Sequence, residues 1–187
     1  MVVVAIAGQP GCGSTTTGKL LAEQLGIEFF SLGKWNKKQL KIIEGKKYHT
    51  ETLNSIGMWK SRKGSTEDFH NKSDMMQKEM AARGNVVIEA KLAVHMLRGF
   101  CNFSVWLKAD FSVRAQRVAG RDGITREEAE KVLREKEKLE RENWLRIYGF
   151  DYFEQEKEAD LVIDVGKKKP EEIVDAIIKK MKAKKLL

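Results

Sequence analysis

The fold of this chain is decided near its start by Val2-Val3-Val4-Ala5-Ile6-Ala7, which runs directly into Gly8-Gln9-Pro10-Gly11-Cys12-Gly13-Ser14-Thr15-Thr16. The first part is an unbroken apolar run with β-branched residues, which is typical of a strand buried on both faces of a parallel sheet. The second part is a glycine-rich turn, after which Leu20, Leu21 and Leu25 recur at helical spacing. A strand, a glycine-rich turn and a helix in this order predict a phosphate-binding loop (P-loop).

The glycines of this turn permit backbone angles that other residues resist, so that backbone N–H groups can face inward and bind phosphate oxygens. The positive end of the following helix adds to the attraction. Thr15 stands at the hydroxyl position expected to bind Mg²⁺. We expect nucleotide phosphates to be bound by Gly8, Pro10, Gly11, Cys12, Gly13, Ser14, Thr15 and Thr16.

One position in the loop departs from the usual pattern. Ser14 replaces the lysine that normally reaches the β- and γ-phosphates. Because phosphoryl transfer depends on positioning and charge stabilisation, other cations must replace that lysine. A purely structural glycine turn is the alternative interpretation.

Cys12 lies at the helix N-terminus, where the pKa of a thiol tends to fall, although its expected role is to fill a tight loop.

The rest of the chain alternates strands with helices. Apolar runs predict strands at 27–31, 85–89, 103–107 and 161–165, and Pro170 is predicted to open the last helix. This order implies right-handed crossovers and a mainly parallel sheet, with ligands at the carboxyl ends of the strands. We predict a single domain with a core of 1–32, 84–119 and 158–187. A polar, helical region is predicted at about 33–83, with Ser65 as a helix N-cap, and a lid at about 120–145.

Cations that would replace the missing lysine follow the fourth predicted strand. Arg114, Arg117 and Arg121 fall at i, i+3 and i+7, and therefore share one face of a helix. After a turn, Thr125 and Glu128 form a capping box that starts a second helix, predicted to run to about residue 148. Two cationic helices joined by a short turn suit a lid that closes on a nucleotide, whereas a salt-bridged helical hairpin is the structural alternative.

Two charged residues follow the third predicted strand at the ligand-binding edge of the sheet. Glu89 is placed to orient Mg²⁺-bound water or a substrate hydroxyl, and Lys91 is placed to meet an acceptor phosphate. A surface salt bridge is the alternative for each of them.

Composition limits the choice of function. Hydrophobic residues make up 42% of the 187 residues and charged residues 33%, which argues against large-scale disorder. The net charge of +8 favours polyanionic partners, phosphorylated small molecules or nucleic acid, and lysines cluster at 37–47 and 179–185. The two cysteines form no disulfide framework, so we expect a cytoplasmic protein with no membrane segment. The oligomeric state is left open.

The assembled pattern resembles archaeal-type cytidylate kinases of the nucleoside monophosphate kinase group. The resemblance is strongest at 8–17, 84–93 and 114–151. It implies a three-layer α/β/α P-loop NTPase fold, with a five-stranded parallel sheet in the order 2-3-1-4-5, a small lid, and an acceptor-binding role for the helical region at about 33–83. It also implies transfer of the γ-phosphoryl group of ATP to CMP or dCMP with Mg²⁺.

The resemblance also assigns residues by role. Arg117, Arg121 and Arg141 would stabilise the transferring phosphoryl group, and Lys91 with Lys34 would hold the acceptor phosphate. The loop 166–169 would border the adenine. Three positions depart from the family pattern: Lys34 stands where an acidic residue is usual, Lys91 where arginine is usual, and Asn143 where a further arginine is expected.

Two other functions stay open from the residues. The first is a P-loop kinase with another small acceptor, of the adenylate or shikimate kinase type. The second is a nucleotide-binding regulatory or RNA-associated protein that has weak or lost transfer, which the altered acceptor motifs and the lysine-rich C-terminus favour. Nucleic-acid binding is not the favoured interpretation, because no recognition module is visible.

Overall fold

The computed structural model describes residues 1–44 and 50–187, with the backbone alone at 41–44. The described residues form a five-stranded sheet. Its strands are β1 (Val3–Gly8), β2 (Glu28–Ser31), β3 (Val86–Glu89), β4 (Phe103–Lys108) and β5 (Leu161–Asp164). The order is β2-β3-β1-β4-β5 and every neighbouring pair is parallel, which confirms the predicted class and strand order.

Helices connect the strands in the order that the sequence predicts. They are α1 (Ser14–Leu25), α2 (Leu32–Glu44), α3 (Glu51–Lys60), α4 (Glu67–Arg83), α5 (Ala93–Met96), α6 (Phe111–Asp122), α7 (Arg126–Tyr148), α8 (Gln155–Glu158) and α9 (Pro170–Ala183). A 3-10 turn at Tyr152–Glu154 precedes α8. None of the helices in the described ranges has the length and apolar character of a membrane-spanning segment.

The central strand β1 is buried on both faces, which explains its unbroken apolar sequence. Val4 and Ile6 pack with α1 and α9, for example against Leu21 and Ile177. Val3, Ala5 and Ala7 face a second cluster that includes Trp59, Met80, Trp144 and Tyr152 from α3, α4, α7 and the 3-10 turn. These two clusters make the three layers that the fold class requires.

The helix boundaries follow local signals in most places. The predicted capping box of Thr125 and Glu128 is present, and Pro170 is the first residue of α9. The predicted N-cap at Ser65 is wrong by one residue, because Thr66 caps α4 by accepting from the Phe69 backbone N–H at 3.3 Å. The Ser65 hydroxyl instead donates to the Ser61 carbonyl at 3.0 Å and closes the preceding turn.

The predicted lid packs against the predicted acceptor region in this conformation. Helices α6 and α7 form a hairpin with its own small core around Ala115, Val118 and Leu133, and α7 also contacts α3. A buried ion pair joins Arg114 of α6 to Glu137 of α7.

The division of the chain into core, acceptor region and lid stays a prediction. Of the predicted lysine cluster, Lys46, Lys47 and the side chain of Lys41 lie outside the described residues.

Candidate active site

The glycine-rich turn has the backbone conformation that its sequence predicts. Gly11 and Gly13 have φ angles of 85° and 83°, in the left-handed region that side chains with a Cβ atom resist. Gly13 is the N-cap of α1 and, within the described residues, no side chain caps that helix end. The first N–H groups of a helix have no intrahelical acceptor, so an uncapped N-terminus here is ready to bind an anion.

A cavity of about 480 Å³ opens beside this turn, at the carboxyl end of the sheet. It is lined by residues of the phosphate loop, α2, α3, α4, α6 and α7, and by Lys168 and Pro170 beyond β5. Most residues predicted from the sequence to form the site lie in its wall. They are Pro10, Gly11, Cys12, Gly13, Ser14, Thr15, Thr16, Lys34, Glu89, Lys91, Arg117 and Arg121.

Glu89 is held in place at the end of β3 by two hydroxyl groups. Ser14 Oγ donates to Glu89 Oε1 at 3.0 Å, and Ser31 Oγ donates to Glu89 Oε2 at 2.6 Å. The donors come from the phosphate loop and from the end of β2, so this carboxylate joins the two loops that flank the cavity. It is fixed beside the phosphate loop rather than paired on the surface.

Lys91 reaches the backbone of the phosphate loop. Its Nζ donates to the carbonyl oxygen of Gly8, the first residue of the phosphate loop, at 2.8 Å. Burial lowers the pKa of this ammonium group, an effect that the nearby carboxylates of Glu140 and Glu89 partly oppose. Gly8 itself is outside the cavity wall and contributes through this carbonyl contact.

The three arginines predicted to stabilise the transferring phosphoryl group have different surroundings. Arg117 Nη2 donates to the carbonyl of Val165 at 2.7 Å, which ties α6 to the loop after β5. Arg121 Nη2 donates to Thr52 Oγ1 at 2.5 Å, and its Nε lies 2.7 Å from Asp122 Oδ1. Both arginines line the cavity, although the side chain of Arg121 is 43% exposed, whereas Arg141 pairs with Asp151 outside the cavity wall. The catalytic assignment of Arg141 stays a prediction.

Two further lysines line the cavity that sequence reasoning did not select. Lys37 follows Lys34 by three residues on α2, and burial lowers its pKa while Glu51, at 3.5 Å, opposes the shift. Lys136 on α7 is 13% exposed and lies 3.3 Å from Glu140. Helical spacing is the signal that marks both, because Lys37 follows Lys34 by i+3 and Lys136 follows the core residue Leu133 by i+3.

The end of the cavity formed by α3, α4 and α7 is lined with aromatic and hydrogen-bonding groups. Trp59 stacks on His70 with ring centroids 4.6 Å apart. Asp74 accepts from Tyr148 OH at 2.6 Å and from Gln77 Nε2 at 2.9 Å, and burial raises the pKa of its carboxyl group. Gln77 Oε1 is buried and has no hydrogen-bond partner among the described residues. Sequence analysis missed this group.

Cys12 corrects one expectation about the loop. The expected lowering of its pKa by the helix N-terminus is outweighed by burial, which raises the pKa of the thiol to about 11. Cys12 is 2% exposed and packs in the core with Leu21. It therefore fills space, which was the expected role.

Comparison with known proteins agrees with this arrangement. The model of the cytidylate kinase-like family matches residues 3–167. A cytidylate kinase from Ignicoccus hospitalis is 34% identical over 177 residues, which cover 95% of this chain and 97% of the relative. An uncharacterised protein from Eubacterium ventriosum has a solved structure that is similar with a TM-score of 0.70 and 19% identity, over 97% of this chain and 98% of that one. The solved structure of shikimate kinase from Aquifex aeolicus is similar with a TM-score of 0.60 and 21% identity, over 99% of both chains.

The strand order, the phosphate loop after the central strand and the cationic cavity define a P-loop kinase fold. The two solved structures share less than a quarter of their residues with this chain and show the fold alone. The family match and the relative from Ignicoccus go further. The chain belongs to the cytidylate kinase-like family, and it is an enzyme of the nucleoside monophosphate kinase type.

Proposed function

We propose that this enzyme transfers the γ-phosphoryl group of Mg-ATP to CMP or dCMP. The observation that carries the proposal is a continuous cavity that joins the phosphate loop to a hydrogen-bonding end lined by Gln77, whose Oε1 has no hydrogen-bond partner among the described residues. Its volume of about 480 Å³ is in the range of small-molecule sites. The names of the curated relatives point to the same reaction.

The donor nucleotide would bind along the phosphate loop. Backbone N–H groups from Gly11 to Thr16 would hold its phosphates at the start of α1. The loop after β5, where Lys168 lines the cavity and Arg117 contacts Val165, would border the adenine.

The residues near the loop fit a magnesium ion. Mg²⁺ prefers oxygen ligands and keeps several waters, and the site offers the hydroxyl of Thr15 and the carboxylate of Glu89 in one cavity wall. No cluster of three acidic, histidine or cysteine side chains forms in the described ranges, so phosphate oxygens and water would complete the coordination. When bound, the ion would neutralise charge on the phosphates. Thr15 would orient the phosphates, and Glu89 would hold a metal-bound water or the acceptor.

The acceptor would bind with its phosphate near α2 and its base between α3, α4 and α7. Lys34 and Lys37 line the cavity from α2 and would attract the acceptor phosphate. The flat rings of Trp59 and His70 provide aromatic surface at the base end. During transfer, Arg117 and Arg121 would stabilise the negative charge on the moving group, which is the main way that proteins accelerate this reaction.

Because Gln77 Oε1 has no hydrogen-bond partner within the described part of the chain, it favours a base that donates a hydrogen bond. Cytosine carries an exocyclic amino donor, whereas uracil and thymine carry a carbonyl acceptor at that position. A buried site built to bond a donor rejects the analogue that lacks it, because its polar atoms stay unpaired. We therefore expect CMP and dCMP to be used in preference to UMP.

The test is transfer from Mg-ATP to CMP, dCMP, UMP, AMP and GMP, followed as diphosphate formation. Robust turnover of CMP or dCMP supports the proposal. Preferential turnover of UMP, AMP or GMP contradicts it, and so does the absence of turnover with all five monophosphates. Gln77→Met should reduce the CMP-to-UMP ratio of kcat/KM by about tenfold or more, because one buried hydrogen bond is lost. Glu79→Gln, on the exposed side of the same helix, is the matched control.

A further inference from the structure

The phosphate loop of this enzyme lacks its usual cation, and the structure shows where the residue at that position goes instead. Ser14 opens α1, and its Oγ donates to Glu89 Oε1 at 3.0 Å. The hydroxyl is thus engaged with a carboxylate at the end of β3. Loops of this kind normally use a lysine here to reach the β- and γ-phosphates. The charge that this lysine supplies has to come from another element.

Among the described cations that line the cavity, Lys91 is the one that bonds the loop itself. Arg114 also donates to the loop, at the Pro10 carbonyl, but it lies outside the cavity wall. It follows Glu89 by two residues, and β3 lies beside β1 with Glu89 in register with Ile6. The chain therefore brings Lys91 to the end of β1, where the loop begins, and Nζ bonds the Gly8 carbonyl at 2.8 Å. An ammonium group has three N–H donors, and the described contacts use one of them. The residue also lines the cavity together with the loop.

Four of the other cations in the cavity wall have contacts away from the loop, and the remaining two, Lys34 and Lys168, stand on α2 and after β5. Arg117 bonds the carbonyl of Val165, Arg121 bonds Thr52 and Asp122, and Lys136 pairs with Glu140. Lys37 pairs with Glu51. Each of these residues anchors a helix or loop that surrounds the cavity, whereas Lys91 is anchored on the phosphate-binding backbone.

We propose that Lys91 supplies, from the end of β3, the phosphate-loop cation that position 14 lacks, and that its ammonium group binds the terminal phosphate of the donor nucleotide. This inference rests on the proposed function for the identity of the donor. It differs from the expectation that Lys91 holds the acceptor phosphate. Ser14 and Lys91 are then parts of one arrangement. The positive charge that a lysine at position 14 would supply from the start of α1 comes instead from Lys91, just after β3.

The test compares nucleotides that differ by the terminal phosphate. Dissociation constants would be measured for the non-hydrolysable β,γ-imido analogue of ATP with Mg²⁺, for ADP with Mg²⁺ and for CMP, in the wild type and in Lys91→Met. The variant should weaken binding of the imido analogue by roughly 10- to 100-fold and binding of ADP and CMP by less than about threefold. Lys19→Met, an exposed lysine on α1, should change none of the three constants.

Two further variants separate charge from structure. Lys91→Gln keeps a hydrogen-bond donor for Gly8 but no charge, and should lose the preference for the triphosphate as Lys91→Met does. The double variant Ser14→Lys, Lys91→Met returns a lysine to the usual position and should restore that preference. If Lys91→Met folds poorly, Lys91→Gln decides the question, because it keeps a polar side chain at this position.

The possible results are distinct. Weaker CMP binding with an unchanged constant for the imido analogue would overturn the inference in favour of the acceptor role. Unchanged constants for all three ligands, or no restoration in the double variant, would make Lys91 a structural residue. If the wild type transfers to none of the monophosphates but Lys91→Met still loses the triphosphate preference, the proposed function fails and this inference stands.

Discussion

Lys136 Nζ lies 3.3 Å from Glu140 Oε1 in the wall of the cavity, and the two side chains are 13% and 4% exposed. The pair belongs to the face of α7 that also carries Leu133 and Trp144 toward the interior. A cation held there is inside the site, whereas Arg141, the residue after Glu140, points outward to Asp151. Helix α7 therefore presents Lys136 to the cavity, while the catalytic role of Arg141 stays a prediction.

We expect Lys136→Met to lower kcat by about 100-fold, because a cation near the moving phosphoryl group is lost. Arg141→Met should lower kcat by less than about tenfold, since its partner lies outside the cavity. Steady-state kinetics with CMP measures both effects, and Lys136→Arg, which keeps the charge, is the control. A greater loss in Arg141→Met would show that α7 moves during turnover and brings this arginine into the site.

Thr15→Ala should weaken the use of Mg-ATP strongly. The hydroxyl is the protein oxygen expected to hold the metal ion at the start of α1, so we expect kcat/KM for Mg-ATP to fall by about 100-fold or more. Thr15→Ser keeps the hydroxyl and should stay within about tenfold of the wild type. Titration with Mg²⁺ at fixed ATP checks the assignment, and turnover near that of the wild type in Thr15→Ala would refute the loop assignment.

Arg117→Ala and Arg121→Ala should each lower kcat by orders of magnitude, since cationic contacts to the transferring group are worth about 10³–10⁵ in rate in related systems. The two variants should differ in stability. Arg121 also bonds Thr52 and Asp122, which tie α3 to the α6–α7 turn, so Arg121→Ala should lower Tm more than Arg117→Ala. Arg126→Ala, on the exposed start of α7, serves as the control. Unchanged kcat in both variants would make these arginines structural.

Local signals in the sequence predict the fold well. The apolar run of β1, the glycine-rich turn and the capping box of Thr125 and Glu128 each depend on interactions within a few residues, and the structure has all three. The failure at Ser65 is also local. Ser65 and Thr66 are adjacent hydroxyl residues with similar capping chemistry, and both hydroxyls donate to carbonyls of the preceding turn, so residue type alone does not choose between them.

The acceptor end of the site could not be predicted in the same way. Tyr148 reaches Asp74 across 74 residues, and the Trp59–His70 stack depends on the turn between α3 and α4. Neither contact leaves a periodic or spacing signal in the chain. Lys136 is a different case, because its spacing from Leu133 marks the face, but α7 carries charged residues on every side and hides that signal.

His70 makes the stability of this end of the site depend on pH. The ring is 5% exposed, stacks on Trp59, and has Nε2 3.0 Å from the Gly64 carbonyl. Burial lowers its pKa from 6.5 to about 4, although the bond to Gly64 opposes the shift. Between these two values the unfolded chain binds more protons at this residue than the folded chain does. The free energy of unfolding therefore rises with pH across this window.

We expect the contribution of His70, on the order of 3 kcal/mol, to be complete above pH 6.5 and lost as the pH falls toward 4. Urea unfolding of the wild type and His70→Gln at pH 7.5 and pH 4.5 measures it. The amide that this substitution introduces can still donate to Gly64 but does not titrate, so the variant should lose less stability on acidification than the wild type. Carboxylates that titrate in the same range are common to both proteins and cancel in the comparison. Parallel pH profiles would mean that the folded protein protonates His70 without cost.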